Sequence, residues 1–237
     1  MGKRRDAATM IAGVDGTPSG WVVVACDAAR GDVRAFCVTR LPDLPRNLQV
    51  VAVDVPMGLG ERGPRLADHL ARRALGPRGS SVFPTPVRAV LGARSWEDAC
   101  ARHERVDGRR VSKQTFGILG KIAEADAFLR SSRWARRTLY EVHPELSFAQ
   151  WAGAPMRHPK KSGEGRAERL ALIASTFGAR VFDDARQAVR GQQVRSDDLA
   201  DAFATLWTAA RVHAGTAERR PPDGVLDRAG LPMVIWT

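Results

Sequence analysis

No run of apolar residues in this 237-residue chain approaches the ~20 needed to cross a bilayer, so no membrane-spanning helix is expected. The basic start, MGKRRDAATM, has no hydrophobic stretch behind it and does not read as a secretory signal. Cysteine is scarce. Cys26, Cys37 and Cys100 are odd in number, far apart and form no C-x-x-C pair, so reduced thiols in a cytoplasmic protein are expected rather than a disulfide framework. Lysine is also rare, confined to Lys3, Lys113, Lys121, Lys160 and Lys161 among 37 basic residues. Acids number only 26, which leaves a formal charge of +11 carried mainly by arginine. Arginine forks phosphate bidentately, so the surplus favours an anionic partner, with nucleic acid the commonest. A proteome-wide composition bias would raise the same count, but here the charge is clustered.

At 44% hydrophobic residues the chain can bury a sizeable core as one domain with an insertion. Its reference stretch is IAGVDGTPSGWVVVAC, residues 11–26. β-branched runs at 9–14 and 21–25 flank a Gly/Pro turn over 15–20, which predicts a hairpin with Asp15 where the first strand runs out. Residues 32–41 predict a third strand after the turn Ala29-Arg30-Gly31-Asp32, completing an antiparallel meander. Residues 50–55, VVAVDV, form a continuous apolar run of the kind buried on both faces. Alternation places Val50, Ala52 and Asp54 on one face, with Asp54 at the carboxyl end. If this strand runs parallel to the first, Asp15 and Asp54 project from neighbouring carboxyl ends, the edge where open α/β sheets place ligands. Each has a plainer alternative, as a turn cap or a hydrogen-bonded strand-end acid.

Residues 60–137 predict a mostly helical insertion, with helices over 64–75, 95–104 and 116–129 and a Gly/Ser/Pro loop, GPRGSSVFPTPVR, between the first two. Arginines crowd it, Arg72, Arg73, Arg109 and Arg110 among them, and these are the expected phosphate contacts. Ser80 and Ser81 have no nearby base and read as turn residues. The sheet resumes at 138–142, where Glu141 adds a third strand-end acid able to ligate metal, position a water or pair with an arginine; His143 reads as the entry to a helix starting at Pro144. An amphipathic helix follows the loop of Lys160 and Lys161, whose GEG is too short for a phosphate cradle; its lysines read as solvated by default and, with the four arginines, are the candidate nucleic-acid contacts. The helix over 196–212 carries Leu199, Ala202, Phe203 and Leu206 as an apolar stripe, with Asp197, Asp198 and Asp201 on another face. Asp197 and Asp198 suit a helix N-terminus behind a Ser cap, whereas Asp201 lies beyond the first turn, where that benefit fades.

Segments GVDGTPSGW, VDVPMGL, SSVFPTP, QTFGILGKIAEAD, EVHPELSF, KKSGEGRAERL and DDLADA together resemble an uncharacterised, domain-of-unknown-function family of predicted ribonuclease H-fold nucleases, over almost the full length. The resemblance implies an α/β fold of ribonuclease H-like type: a five-stranded mixed sheet flanked by helices. Its core would be about 9–58 and 138–237, with the helical insertion about 60–137. It also implies acids at Asp15, Asp54, Asp198 and Asp201, a spacing similar to the terminal helix of Holliday-junction resolvases, whose second-strand acid is usually a glutamate. The implied chemistry is phosphodiester hydrolysis by two Mg²⁺ or Mn²⁺ ions ~3.5–4 Å apart, bridged by Asp15. Proton transfer would fall to Lys121, Lys160, Lys161 or His143, a choice the sequence leaves open. Two other readings stand beside it. One is a non-catalytic nucleic-acid or protein-binding module on the same fold. The other is a phosphotransferase like the sugar kinases and actin-like ATPases, whose first phosphate hairpin DGTPSGW resembles. Those enzymes need a duplicated domain, and Asp223-Gly224 here is not followed by a strand pair.

Overall fold

In the computed structural model, which describes residues 9–29 and 31–237, β1 (Met10–Thr17) and β2 (Gly20–Asp27) form the expected hairpin, closed by Pro18 and Ser19. The basic start, residues 1–8, and Arg30 of the following turn lie outside the described residues. β1 runs two residues past Asp15, because the turn needs only two residues and Asp15 stays paired with Val22. Asp15 nevertheless keeps its edge position. The parallel pairing of β1 with β4 (Leu48–Val53) ends with Val14 opposite Val53. β3 (Val33–Val38) stops short of the expected strand, since Leu41–Asp43 coils into a 3₁₀ turn. With the short β5 (Leu139–Glu141) the sheet has the order β3-β2-β1-β4-β5, antiparallel on one side of β1 and parallel on the other. This is the expected α/β arrangement, consistent with a ribonuclease H-like fold.

Between β4 and β5 run α1 (Leu66–Leu75), α2 (Trp96–Asp107), α3 (Lys113–Gly117), α4 (Leu119–Ser131) and α5 (Arg133–Thr138). The helix expected over 116–129 is broken at Ile118, where the backbone leaves the helical region. This segment divides in two. Ile122, Ala125, Phe128, Leu129 and Ala135 of α4 and α5 cover one face of the sheet, packing on Ala12, Val14, Val23, Val51 and Val53. The second half of the expected insertion is therefore a layer of the core. Only the stretch before it stands beside the sheet, with a small cluster around Val90 and another around Ala71 that takes in Leu146 and Ile235 from outside the stretch.

The other face is covered by α6 (Pro144–Ala152), α7 (Gly163–Phe177), α8 (Val181–Ala188) and above all α9 (Ser196–His213). Leu199, Phe203 and Leu206 of α9 pack on Ile11, Val22, Val24, Val50 and Ala52. Burying each such side chain contributes ~1.5–3 kcal/mol, and burial from both sides is why β2 and β4 read as unbroken apolar runs. At the centre of this contact β1 has no side chain. A Cβ on Gly13 would stand 2.1 Å from Leu206 N and 2.2 Å from Ala202 O, so only glycine lets helix and strand backbones meet there.

After α9 the chain forms a two-stranded ribbon of β6 (Arg219–Arg220) and β7 (Ile235–Trp236), shorter than the strand expected at the end of the sequence. Among the described residues the five-stranded sheet is accompanied by this ribbon alone. Cys26, Cys37 and Cys100 are free thiols. Among the described residues no helix is long and apolar enough to cross a membrane.

Candidate functional site

Three acids from distant parts of the chain meet at the carboxyl edge of the sheet. Asp15 lies on β1. Asp54 follows β4 directly, its N–H donating to Val14 O at 3.0 Å, and Asp201 lies in the second turn of α9. Asp15 and Asp201 are buried, at 7% and 5% exposure, while Asp54 is half-buried. The backbone contact at Gly13 sets this meeting, because Asp15 is two residues beyond it and Asp201 is one residue before Ala202.

Their electrostatics follow from that crowding. Burial, then repulsion from Asp54, Asp201 and Asp198, raises Asp15 well above the ordinary carboxylate range, against the pull of the Gly16 N–H. Burial also raises Asp54, opposed by His143, Lys160 and a hydrogen bond with Asp15. Asp201 is pushed by burial up to about 7, although the Lys160 ammonium stands 2.8 Å from its Oδ2. Burial disfavours that ammonium in turn, but Asp201, Asp54 and Asp15 more than offset the effect and keep Lys160 protonated.

Lys160 is fixed by the loop that carries it. A Cβ on Gly165 would stand 1.9 Å from Pro159 O, so the loop is pressed against the first turn of α7. Arg169, buried and paired with Glu145 at 2.6 and 2.8 Å, donates to Gly165 O from below. The default reading of Lys160 as a solvated loop lysine is corrected, because it is an ion-pair partner of the site. Lys161 is exposed as expected, yet lines the same cleft.

The cleft over the acids has a volume of about 510 Å³. Besides the three acids and both lysines it is lined by Arg78, Ser80, Ser81, Phe83, Ile118, Lys121 and His143. Lys121 lies over the Trp21 ring at 4.3 Å and donates to Gly20 O at 2.6 Å; burial lowers its pKa against the pull of Glu124, Asp15 and Asp198. His143 is the helix-entry residue expected, preceding α6, but its ring also faces the site. Its Nε2 lies 3.3 Å from Ser81 O, and its Nδ1 is buried with no hydrogen-bond partner among the described residues. Ser81 Oγ donates to Arg78 O, the turn role expected of it.

Other expected site residues lie elsewhere. Glu141 pairs in register with Val53, so its side chain leaves the sheet on the face opposite Asp54. There it binds Arg65 at 2.6 and 2.8 Å and accepts from Met57 N, which is the arginine pairing among the three roles open to it. Asp198 is half-buried and accepts from Arg195 N at 3.0 Å, so it closes the start of α9 while acting on Asp15 at longer range. The helix begins at Ser196 itself, and Ser196 is not its cap. Arg72 donates to Val82 O, Arg109 is held by Asp107, and Arg110 covers the Trp96 ring. Arg73 is exposed in the last turn of α1, and none of these four arginines lines the cleft. Arg78, Phe83 and Ile118 were missed. The exposed aromatic in the proline loop SSVFPTP was the one available signal.

Among the described residues no group of three or more His, Cys, Asp and Glu side chains is arranged as a metal site. The donor set itself suits a hard divalent cation. It is all carboxylate oxygen, partly open through Asp54, and a bound cation would offset the burial that drives these acids towards protonation. A family model described as protein of unknown function (DUF429) matches residues 13–225, and the chain belongs to that family. No curated protein and no solved structure matches the chain.

Proposed function

We propose that this family member is a metal-dependent phosphodiesterase acting on nucleic acid, with Asp15, Asp54 and Asp201 as the Mg²⁺- or Mn²⁺-binding carboxylates and Asp198 as an outer fourth. One observation carries the reading. Three carboxylates from β1, β4 and α9 crowd one partly dry spot, where burial raises the proton affinity of each and Asp54 and Asp201 raise that of Asp15 further, with the Lys160 ammonium ion-paired to Asp201. Buried like charges are costly, and clusters of this kind concentrate at functional sites. Bound divalent ions would supply a water made acidic enough to attack phosphorus and charge stabilisation for the leaving oxygen.

The chain's own groups have distinct tasks around that chemistry. Lys161, Lys121 and Arg78 give the cleft a positive lining for the phosphates on either side of the scissile bond. Lys160 pairs with Asp201 and favours its ionised form against burial until a stronger cation competes for it. His143, whose Nδ1 has no hydrogen-bond partner among the described residues, lines the cleft and in its neutral form would be the proton acceptor. The same Lys160–Asp201 pair supports a second reading, a nucleic-acid-binding module in which the ammonium permanently takes the cation's role.

The test is incubation with Mg²⁺ or Mn²⁺ and a panel of single- and double-stranded DNA and RNA, with Asp15→Asn as control. Cleavage by the wild type and none by the variant is expected. Binding without cleavage of any substrate would discard the hydrolytic reading in favour of the binding module.

A further inference from the structure

Phe83 is 42% exposed, one of few large apolar side chains in solvent among the described residues. It lines the cleft that holds Asp15, Asp54 and Asp201, as does Ile118, 37% exposed at the junction of α3 and α4. Its backbone is pinned on both sides. Arg72 donates to Val82 O at 2.8 Å, Thr85 N donates to Asp68 at 2.9 Å, and Val82 itself is buried. The ring is thus held out by a fixed segment. Among the described residues no other aromatic ring packs on it.

We propose that Phe83, in the cleft that Ile118 also lines, is a stacking platform for an unpaired nucleobase, so that the cleft takes single-stranded or locally unpaired nucleic acid rather than intact duplex. This rests on the reading of the cleft as a nucleic-acid site. Polar lining favours that occupant over an apolar peptide, because beside the acids Asp15, Asp54, Glu145 and Asp201 the same cleft carries Arg78, Lys121 and Lys161, which suit the phosphates flanking a base. Every base has a π-face, so such a platform tolerates sequence. In a duplex both faces of each base are already covered, and reaching Phe83 would require unstacking.

The experiment is fluorescence polarisation in EDTA, so that no turnover intervenes, with a labelled single strand and the duplex of the same sequence. Wild type should bind the single strand more tightly. Phe83→Ala should weaken single-strand binding about 5- to 150-fold, the range for loss of one base stack, with duplex binding unchanged. Phe83→Trp should restore it, and a melting curve for each variant checks folding. Phe83→Ala binding the single strand like wild type, or losing both forms equally, overturns the platform, as does a failure of Phe83→Trp to restore binding. Single-strand preference without cleavage leaves the platform standing and removes only the hydrolytic reading. Cleavage with a preference for intact duplex does the reverse, and binding of neither form removes both.

Discussion

Replacing Gly13 with alanine tests how the site is assembled. The added methyl would lie 2.1 Å from Leu206 N, 2.2 Å from Ala202 O and 2.5 Å from Thr205 Oγ1. Two of these are backbone atoms of α9, so no rotamer change relieves the clash. Carbon contacts are favourable only from about 3.5 Å, so α9 must retreat by roughly 1.4 Å, and a gap of even ~0.5–1 Å forfeits a quarter to a half of each neighbouring contact. Overpacking of this kind costs about 1–3 kcal/mol, and a backbone clash belongs at the upper end. The loss of unfolded-state freedom on replacing glycine gives back only ~0.4–1 kcal/mol. The net loss of about 2 kcal/mol should lower Tm by roughly 4–8 °C in a chain of this size. The retreat also carries Asp201 away from Asp15. Asp15 should then titrate nearer the ordinary carboxylate range, as read by carboxyl-carbon NMR. Gly120→Ala is the control, since a Cβ there meets nothing within 4 Å. A Gly13→Ala protein that melts with the wild type and keeps its Asp15 titration would refute the contact as the device that joins the acids.

Four further outcomes are expected. Asp201 binds its proton more tightly folded than unfolded, so its contribution to stability should fall as pH rises from near 3.8 through about 7, with Asp15 and Asp54 acting in the same direction; urea midpoints should decline less for Asp201→Asn, and parallel curves would contradict the burial argument. Mg²⁺ or Mn²⁺ should raise Tm, by the equivalent of about 2.7 kcal/mol at a hundred times Kd, and Asp54→Asn should shrink that increment; an unmoved wild-type curve would remove the metal site. Asp201→Asn should abolish turnover in a single-turnover assay while leaving nucleic-acid affinity intact, whereas Asp197→Asn should cost only ~0.3–1 kcal/mol of stability; the opposite ranking would put the ligands on the wrong helix face. Glu141→Gln should cost about 3–5 kcal/mol in denaturant unfolding by leaving Arg65 short of charge, and pairing Glu141→Leu with Arg65→Met should recover most of it.

The sheet and two of its acids were legible because a strand buried on both faces writes its parity into the sequence. Val50, Ala52 and Asp54 had to share a face, and they share the face under α9. Asp201 was legible from helical spacing, since it lies one residue from the small Ala202 where the helix meets β1. Glu141 was not. β5 has three residues, too few for alternation to reveal a face, and the register of Leu139 on Val51 that turns Glu141 away is a long-range fact. The arginines misled for a related reason. Crowding in sequence says nothing of partners, and Arg72 and Arg109 find theirs within about a dozen residues, in Val82 O and Asp107. Lys160 reaches its partner 41 residues away, across a loop whose shape depends on Gly165 and Arg169.

Arg65 joins pieces of chain that are far apart in sequence. Its guanidinium binds Asp68 at the start of α1 and Glu141 at the end of β5, and Asp68 also takes Thr85, two residues past Phe83. All of these groups are buried, so no one of them can leave without stranding charge in a dry place. The loop, the helix and the edge strand are therefore committed to one another during unfolding. A protease should find no partly opened form in which the 60–85 stretch is loose while the sheet persists, and excision of that stretch should not yield a smaller folded protein. The molecule should come apart in a single cooperative step.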